Sequence, residues 1–293
     1  MAATLGWRGG LAVLALGCGL ALASAPPALA GVTTHSCGIK ANEKVRCWGN
    51  NSSGQATPPG ARFRTVSAGV AHSCAVRRSG KVRCWGRDDA GQASPPGGTF
   101  RSVSAANNHT CGLRANRKVR CWGDDADGKA SPPAGKFRSV DAGYSHTCGL
   151  KRNGKVRCWG GDTEGQASPP GGSFKAVSAG YLHSCGVRRN GKARCWGSND
   201  EGQSAPPGGS FRAVEAGGLH TCGLNRNDKA RCWGFDLGGQ ASPPGGSFRA
   251  VSTGFLHNCG LRRRGKVRCW GADASGKSSP PPGRFRSVSA GGS

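Results

Sequence analysis

The sequence has no long hydrophobic segment and no helical periodicity. Its one extended apolar run, residues 11–25, has about 15 residues, whereas a membrane-spanning helix needs about 20. Elsewhere, apolar residues do not recur at the three- and four-residue intervals that mark an amphipathic helix. These absences exclude a bundle of membrane-spanning helices and a helical domain as the main architecture.

Acidic residues are also scarce. The chain carries 15 Asp and Glu against 41 Lys and Arg, which gives a formal net charge of +26. Such a surplus is typical of proteins that bind polyanions or acidic partners, although it also serves solubility alone. Composition does not separate these possibilities, so the positions of the charges have to be considered.

The first 30 residues have the pattern of a secretory signal peptide. Arg8 supplies the positive start, residues 11–25 the apolar run, and Ala28-Leu29-Ala30 a small-residue cleavage site. A lipoprotein signal anchored at Cys18 is the alternative. Removal of residues 1–30 would leave 14 of the 15 cysteines, and an even number in an exported chain favours disulfides. We therefore expect a secreted monomer, extracellular or periplasmic.

The rest of the chain repeats every 37 residues without insertion or deletion. All seven histidines fall at one repeat position, and seven of the eight tryptophans fall at another. A fixed period of this length predicts an array of similar structural units. The cysteines form seven pairs with ten residues from one partner to the next: Cys37 and Cys47, Cys74 and Cys84, Cys111 and Cys121, Cys148 and Cys158, Cys185 and Cys195, Cys222 and Cys232, Cys259 and Cys269.

Each repeat predicts four short strands. In the fourth repeat, residues 137–143 alternate as a strand, and residues 146–151 and 155–160 flank Arg152-Asn153-Gly154 as a hairpin. Residues 166–172 are interpreted as an edge strand that ends at Pro-Pro. No helix is expected within the repeat, so the pattern predicts an all-β array.

The hairpin explains the cysteine spacing. With a three-residue loop, the two cysteines of a repeat lie directly opposite each other and within disulfide reach. Zinc binding with the nearby histidine, or redox chemistry, is the alternative, but His-x-Cys-x9-Cys has poor spacing for a zinc site. We expect seven disulfides, no metal and no cofactor. Glycine suits the left-handed third loop position, and Glu43, Arg117 and Asp228 replace it with some strain.

The two ends of the array complement each other. The first repeat begins at Gly31 and lacks the strand that precedes every other histidine, and residues 285–291 supply that strand at the far end. Pairing of the two ends would remove exposed sheet edges. The sequence therefore predicts an all-β, seven-bladed β-propeller over residues 31–293, in which the C-terminal strand completes the first blade.

The repeat resembles a known family. Residues 142–166, "AGYSHTCGLKRNGKVRCWGGDTEGQ", carry the Gly-x-x-His-Thr/Ser, Gly-x-Val and Trp-Gly-x-Asn/Asp-x-x-Gly-Gln elements of the regulator of chromosome condensation repeat, with Lys129 and Lys277 replacing Gln in two repeats. The compact repeat and the secretory signal are similar to the secreted bacterial β-lactamase-inhibitory propeller. The cysteine pairs are similar to those of Crinkly4-type receptor kinase ectodomains. The resemblance implies a seven-bladed propeller, a fold that hosts exchange, inhibition and receptor functions.

Strand direction sorts the charges onto two faces. The hairpin tips and Pro-Pro connections lie on one face, and the residues before each histidine lie with the Trp-Gly turns on the other. The basic hairpin face is a candidate surface for a polyanion, such as envelope polysaccharide or extracellular DNA. Its candidate residues are Arg77, Arg78, Lys81, Lys151, Arg152, Lys155, Arg188, Arg189, Arg262, Arg263 and Arg264.

The opposite face carries acids and a few apolar residues that break the sevenfold symmetry. Asp or Asn recurs at the second turn position, where capping of the turn is the structural interpretation and calcium binding the alternative. Exposed aromatic residues among acids are typical of a protein-binding patch, although loop drift would also produce them. The candidate ligand-binding residues are Asn107, Asn108, Tyr144, Tyr181, Leu182, Phe235, Leu237 and Phe255.

The leading hypothesis is a secreted, non-catalytic propeller that binds an extracellular or envelope protein through this acidic and aromatic face. Polyanion binding through the hairpin face is the alternative. An enzyme is the third possibility, because Asp141 and Glu215 replace a serine of the inner strand and could face each other as an acid and a base.

Overall fold

The computed structural model describes residues 34–292, so the predicted signal peptide and Cys18 lie outside the described residues. Two single-turn 3-10 helices, Ala126–Gly128 and Ala274–Gly276, occur in this range. No helix among the described residues is long and apolar enough to cross a membrane. The strands are β1 (His35–Lys40), β2 (Val45–Gly49), β3 (Thr65–Ala68), β4 (His72–Val76), β5 (Val82–Gly86), β6 (Phe100–Ala105), β7 (His109–Arg114), β8 (Val119–Gly123), β9 (Phe137–Ala142), β10 (His146–Lys151), β11 (Val156–Gly160), β12 (Phe174–Ala179), β13 (His183–Arg188), β14 (Ala193–Gly197), β15 (Phe211–Ala216), β16 (His220–Asn225), β17 (Ala230–Gly234), β18 (Ala250–Thr253), β19 (His257–Leu261), β20 (Val267–Gly271) and β21 (Phe285–Ala290).

The strands form seven antiparallel sheets, one for each blade. In each blade, the strand that begins with histidine lies in the middle, and the strand that ends in Cys-Trp-Gly lies on the outer side. The inner strands of adjacent blades contact one another around the central channel. In the first blade, β21 pairs with β1 and places Ser36 opposite Ala290. The seven-bladed propeller and its closure by the C-terminal strand are confirmed.

The hairpins have the register expected from the sequence. In the fourth blade, Cys148 lies opposite Cys158 and Leu150 opposite Val156. Each first cysteine forms a disulfide with the cysteine ten residues later, in all seven blades. Each bridge therefore closes one hairpin and none joins two blades. Among the described residues, no group of His, Cys, Asp and Glu could hold a metal ion.

The prediction of a fourth strand in each blade is wrong. Residues 166–172 contain turns and no strand, because proline has no amide hydrogen to donate to a ladder. The corresponding segment of the third repeat crosses to the next blade, where the Lys129 carbonyl accepts hydrogen bonds from Trp159 Nε1 and Thr147 Oγ1, both at 3.0 Å. Each blade therefore has three strands, and β11 and its equivalents lie at the sheet edges.

Phenylalanine fills the space between neighbouring blades. The Phe137 ring is fully buried and its centroid lies 6.0 Å from that of Trp159. Gly149 on the middle strand makes room for it, because a Cβ there would lie 2.5 Å from the Phe137 ring. Six other phenylalanines are buried in equivalent positions: Phe63, Phe100, Phe174, Phe211, Phe248 and Phe285. Each contributes roughly 1.5–3 kcal/mol when fully buried.

The histidines tie each blade to the next. His109 Nε2 lies 2.8 Å from Thr147 Oγ1, and this hydroxyl donates to the Lys129 carbonyl. The hydroxyl must therefore accept from a protonated Nε2, which fixes the neutral tautomer of the ring. At all seven contacts between neighbouring blades, which we call blade joints, a Ser, Thr or Asn side chain accepts this hydrogen bond from the histidine. Burial lowers the pKa of His109 to about 3, so the ring is uncharged at neutral pH.

Candidate binding faces

The blade loops divide between a loop face and a hairpin face. The loop face comprises the connections between inner and middle strands, such as residues 143–145, and the turns after Trp-Gly, such as residues 161–165. The hairpin face comprises the tips between middle and outer strands, such as residues 152–154, and the connections before each inner strand. Of the 15 acids, only Glu43 and Asp228 belong to the hairpin face.

Most recurring acids of the loop face cap their own turns. Asp125 Oδ1 accepts from the Ala130 amide at 2.7 Å, and Oδ2 accepts from Ser131 Oγ at 2.6 Å. The same position in the other repeats accepts the amide five residues later. This bonding is the structural role expected from the sequence, and it uses the carboxylates that calcium would need.

An aromatic cluster lies at the loop-face end of the channel. The Tyr144 and Tyr181 rings meet edge to face with centroids 4.5 Å apart, and Tyr181 meets Phe255 at 5.3 Å. Both tyrosines are half-buried, and burial raises the pKa of the Tyr181 hydroxyl. The rings therefore present apolar edges together with hydroxyl groups, a combination that suits protein contacts.

Phe255 differs from the expectation of an exposed contact residue, because it is only 2% exposed. Its ring reaches Tyr181 across the intervening blade, where Gly218 occupies the equivalent position. A Cβ at Gly218 would lie 2.4 Å from the Phe255 carbonyl oxygen. Phe255 thus packs against Tyr181 as a buried support and exposes almost no surface to a partner.

The other candidate residues lie in loops of the same face and differ in exposure. Leu237 is 68% exposed in the turn of the sixth blade, and Phe235 in the same turn is half-buried. Leu182, Asn107 and Asn108 are half-buried in their loops. The structure brings Tyr144, Tyr181 and Phe255 into direct contact and leaves the remaining candidates as neighbours on the same face.

The basic candidates of the hairpin face fall into four groups. The guanidinium groups of Arg77, Arg188 and Arg262 stack over buried phenylalanine rings at 5.4–6.0 Å, so they serve packing first. Arg78 pairs with Glu43, and Arg263 pairs with Asp228. Lys151 is half-buried. The exposed members are Lys81, Arg152, Lys155, Arg189 and Arg264.

The ion pairs occur at two of the strained turns. Glu43 has a φ of 68° and Asp228 one of 62°, in the left-handed region, and Arg117 is the third non-glycine residue at this position with 68°. The carboxylates of Glu43 and Asp228 reach an arginine of the next hairpin tip. These contacts between blades offset part of the cost of the strained backbone.

Sequence reasoning missed a second set of cations on the hairpin face. An Arg or Lys follows the buried phenylalanine of every inner strand, and together these residues surround the hairpin-face mouth of the channel. Their spacing of 37 residues was visible in the sequence, but an alternating strand gives no reason to single them out. We call this set the cation ring: Arg64, Arg101, Arg138, Lys175, Arg212, Arg249 and Arg286.

Asp141 and Glu215, the two acids of the inner strands, occupy a position that normally joins neighbouring blades. At this position, serine normally accepts the amide of the next inner strand, as Ser104 does from Ala142 at 3.0 Å. Asp141 does the same with the Ala179 amide and also accepts from Ser104 Oγ, each at 3.0 Å. Burial raises the pKa of Asp141. Its carboxylate is thus engaged in holding blades together, which does not favour a role as a catalytic base.

Glu215 is the exception at this position. Burial, with a smaller effect of the Asp141 charge, raises the pKa of Glu215 to about 8. The folded protein therefore binds a proton that the unfolded chain releases above about pH 4.5, so stability falls as the pH rises toward 8.

We expect Glu215→Gln to stabilise the protein, with a gain in Tm that widens between about pH 6.5 and about pH 9 because glutamine does not ionise. Thermal unfolding followed by circular dichroism at both pH values measures it. Glu164→Gln, at an exposed acid of the loop face, is the matched control and should show no widening. An equal gain for Glu215→Gln at both pH values would contradict the assignment.

The geometry defines a repeat propeller with a loop face and a hairpin face, and comparison with known proteins identifies its family. The model of the regulator of chromosome condensation (RCC1) repeat matches the chain in seven segments: residues 30–55, 63–92, 100–129, 137–166, 174–203, 211–240 and 248–277. The chain belongs to this repeat family, and the resemblance found in the sequence is confirmed.

Solved structures of the same fold include receptor ectodomains. The ectodomain of the Physcomitrella patens receptor kinase CR4 is 29% identical over 84% of this chain and 71% of that chain, with a TM-score of 0.73. The CRINKLY WD40 ectodomain of the Arabidopsis thaliana receptor kinase ACR4 is 28% identical over 82% of this chain and 92% of that chain, with a TM-score of 0.72. Prp20p of Saccharomyces cerevisiae is 15% identical over 88% of this chain and 85% of its own, with a TM-score of 0.68, and shows the shared fold. No curated protein matches the chain.

Proposed function

We propose that the protein is a secreted, non-catalytic binding module that recognises an extracellular or envelope protein through its loop face. The observation that carries the proposal is the contact between Tyr144 and Tyr181, two half-buried rings at positions where sevenfold packing does not require an aromatic residue. Tyrosine is enriched among residues that dominate binding energy. Similarity to receptor ectodomains supports a binding role.

Charge on the same face supports a basic or polar partner surface. Glu164 lies in the turn of the blade that carries Tyr144, and Glu201 lies in the turn of the blade that carries Tyr181, both exposed. A central aromatic pair with charged residues at its edge has the arrangement of a protein interface, in which a desolvated centre is surrounded by a polar rim. The seven disulfides are consistent with an exported protein.

We expect Tyr144→Ala combined with Tyr181→Ala to weaken partner binding by about 30-fold or more, because loss of an interface centre costs at least about 2 kcal/mol. The partner is first captured from extracellular and envelope extracts with the native protein, and its affinity is then measured for each variant. Val70→Ala with Asp89→Asn, on the same face in the second blade, is the matched control. Undiminished binding by the double tyrosine variant would place the site elsewhere on the molecule.

A further inference from the structure

The cation ring is built by a β-bulge. In the fourth blade, Ser139 lies opposite Leu150 and Phe137 lies opposite Lys151, so Arg138 has no partner on the middle strand. The same shift occurs at Arg101, Lys175, Arg212 and Arg286. A bulge turns the side chain of its extra residue away from the alternation of the strand. The repeated bulge thus places one cation from each of these blades at the channel mouth.

Several cations of the ring are held around the mouth by the next blade. Arg64 Nη2 donates to the Arg101 carbonyl at 3.0 Å, and Lys175 Nζ donates to the Phe211 carbonyl at 3.2 Å. Arg212 Nη2 donates to the Arg249 carbonyl at 2.7 Å. A carbonyl satisfies a donor without neutralising its charge. Arg212 and Arg286 also pair with the carboxylates of Asp228 and Glu43, so the positive field of the ring comes mainly from its other five members.

A basic cavity adjoins the ring between the first and second blades. It has a volume of about 600 Å³ and is lined by Asn42, Glu43, Arg62, Arg78 and other residues of the two hairpin tips. Arg77 and Arg286 also line it, so four arginines face one carboxylate. The cavity can accept a single anionic group beside the ring.

The chemistry of this face favours one kind of polyanion. Single-stranded nucleic acids that are bound without sequence preference stack their bases on aromatic side chains. In residues 34–292, the half-buried tyrosines and Phe235 belong to the loop face, and the phenylalanines near the hairpin face are buried. A polymer whose charges contact arginine without stacking fits this surface better.

We propose that the hairpin face binds a linear anionic glycan that carries sulfate or phosphate groups, with the cation ring and the exposed tip arginines as its contact surface. The polymer would lie across several hairpin tips, and the cavity at Arg62 would take one of its anionic groups. This surface is separate from the aromatic cluster, so each face can be tested without altering the other.

The test removes three charges from one face while leaving the fold intact. Arg138→Gln, Arg152→Gln and Arg189→Gln change exposed residues of the hairpin face in the fourth and fifth blades. Arg120→Gln, Arg157→Gln and Arg194→Gln remove the same charge from exposed positions on outer strands. Thermal unfolding of both variants first establishes that each is folded. Affinity is then measured by fluorescence anisotropy for a heparin decasaccharide and for a poly(glycerol phosphate) of similar charge.

We expect the hairpin-face variant to bind at least one of the two probes tenfold or more weakly, and the outer-strand variant to lose less than threefold. Which probe binds distinguishes sulfate from phosphate. Each lost contact should also reduce the slope of log affinity against log salt by about 0.7 to 0.9, the values known for nucleic acid phosphates. Arg62→Gln should weaken binding further.

Three results would overturn the proposal. If the native protein binds neither probe at physiological salt, the proposal has no basis. Equal losses in the two triple variants would show that net charge alone attracts the polymer. Tighter binding of duplex DNA than of either probe, at the same salt concentration, would assign the face to nucleic acid.

Discussion

Acidification from pH 7 should unfold the protein, with a midpoint near pH 5. Each blade joint contains one fully buried neutral histidine, and burial lowers the pKa of His35, His109 and His183 to about 3 and that of His72, His146 and His220 to about 4. Burial also lowers the pKa of His257 well below its usual value. In the unfolded chain these rings accept protons near pH 6.5.

Stability falls on acidification because the unfolded chain takes up protons that the folded protein does not bind. Because the folded pKa values are depressed, the contribution of the histidines is complete above pH 6.5 and is lost as the pH falls toward the folded values. Each histidine that stays neutral costs about 1.4 kcal/mol per pH unit below 6.5. Seven together approach 10 kcal/mol per unit, which matches the whole stability of a typical domain, about 5–15 kcal/mol.

The bonding at the joint explains why these rings resist protonation. Nε2 already donates to the neighbouring Ser, Thr or Asn, so an added proton would go to Nδ1. Within residues 34–292, the Nδ1 atoms of all seven histidines are buried without a hydrogen-bond partner. A charged imidazolium there would be buried with no hydrogen-bond acceptor for its added proton.

Urea unfolding at several pH values, followed by near-ultraviolet circular dichroism, measures the expected dependence. Between about pH 6 and pH 5 the slope should correspond to a net uptake of about five to six protons on unfolding, because the seven histidines take up protons while Glu215 releases the one that it holds in the folded state. His109→Gln is the informative variant, because its amide can still donate to Thr147 but does not titrate. It should reduce the proton count by one. A native spectrum retained at pH 4 would contradict the assignment of buried neutral rings.

The local parts of the fold could be predicted from the sequence, because the signals lie within a few residues of one another. The opposition of Cys148 and Cys158 follows from hairpin geometry alone, and the closure follows from the missing strand before His35. The prediction of a fourth strand was wrong because the segment at Lys129 accepts hydrogen bonds from Trp159 and Thr147 of the next blade. No pattern within one repeat reveals that competition.

The candidate site was predictable in outline only. Tyr144 and Tyr181 could be singled out because their position carries different residues in the seven repeats, although the architecture of the repeats is constant. The burial of Phe255 depends on Gly218, which lies in another blade. The cation ring depends on a bulge, whose extra residue cannot be seen in an alternating sequence. Such features require knowledge of which blades become neighbours.

Deletion of residues 285–293 should abolish cooperative unfolding, because the first blade would lose its inner strand. Phe285 is 4% exposed and packs against Trp48 with centroids 5.9 Å apart. Removing a buried phenylalanine side chain alone costs about 3–5 kcal/mol. The deletion also removes the ladder between β21 and β1 and the bond from the Ala68 amide to Ser289 Oγ.

The loss should exceed that of any single disulfide, because it leaves β1 unpaired on one side and also uncovers the inner strands of both neighbouring blades. The middle strand β1 would become an edge, and the inner strands β3 and β18 would lose their contacts with β21. Unpaired strands at such edges template association with other chains. We expect the truncated protein to aggregate, or to melt over a broad range without a defined Tm, in scanning calorimetry and light scattering.

The matched control moves the strand without removing it. In internal repeats, phenylalanine precedes histidine by nine residues, as Phe137 precedes His146. Joining residues 285–291 directly to residue 33 reproduces that spacing before His35, so this rearranged chain should regain a cooperative transition. A protein lacking only residues 1–30 should also melt normally. If the truncated chain melts like either control, β21 does not close the ring, and the stability of the first blade must come from its hairpin alone.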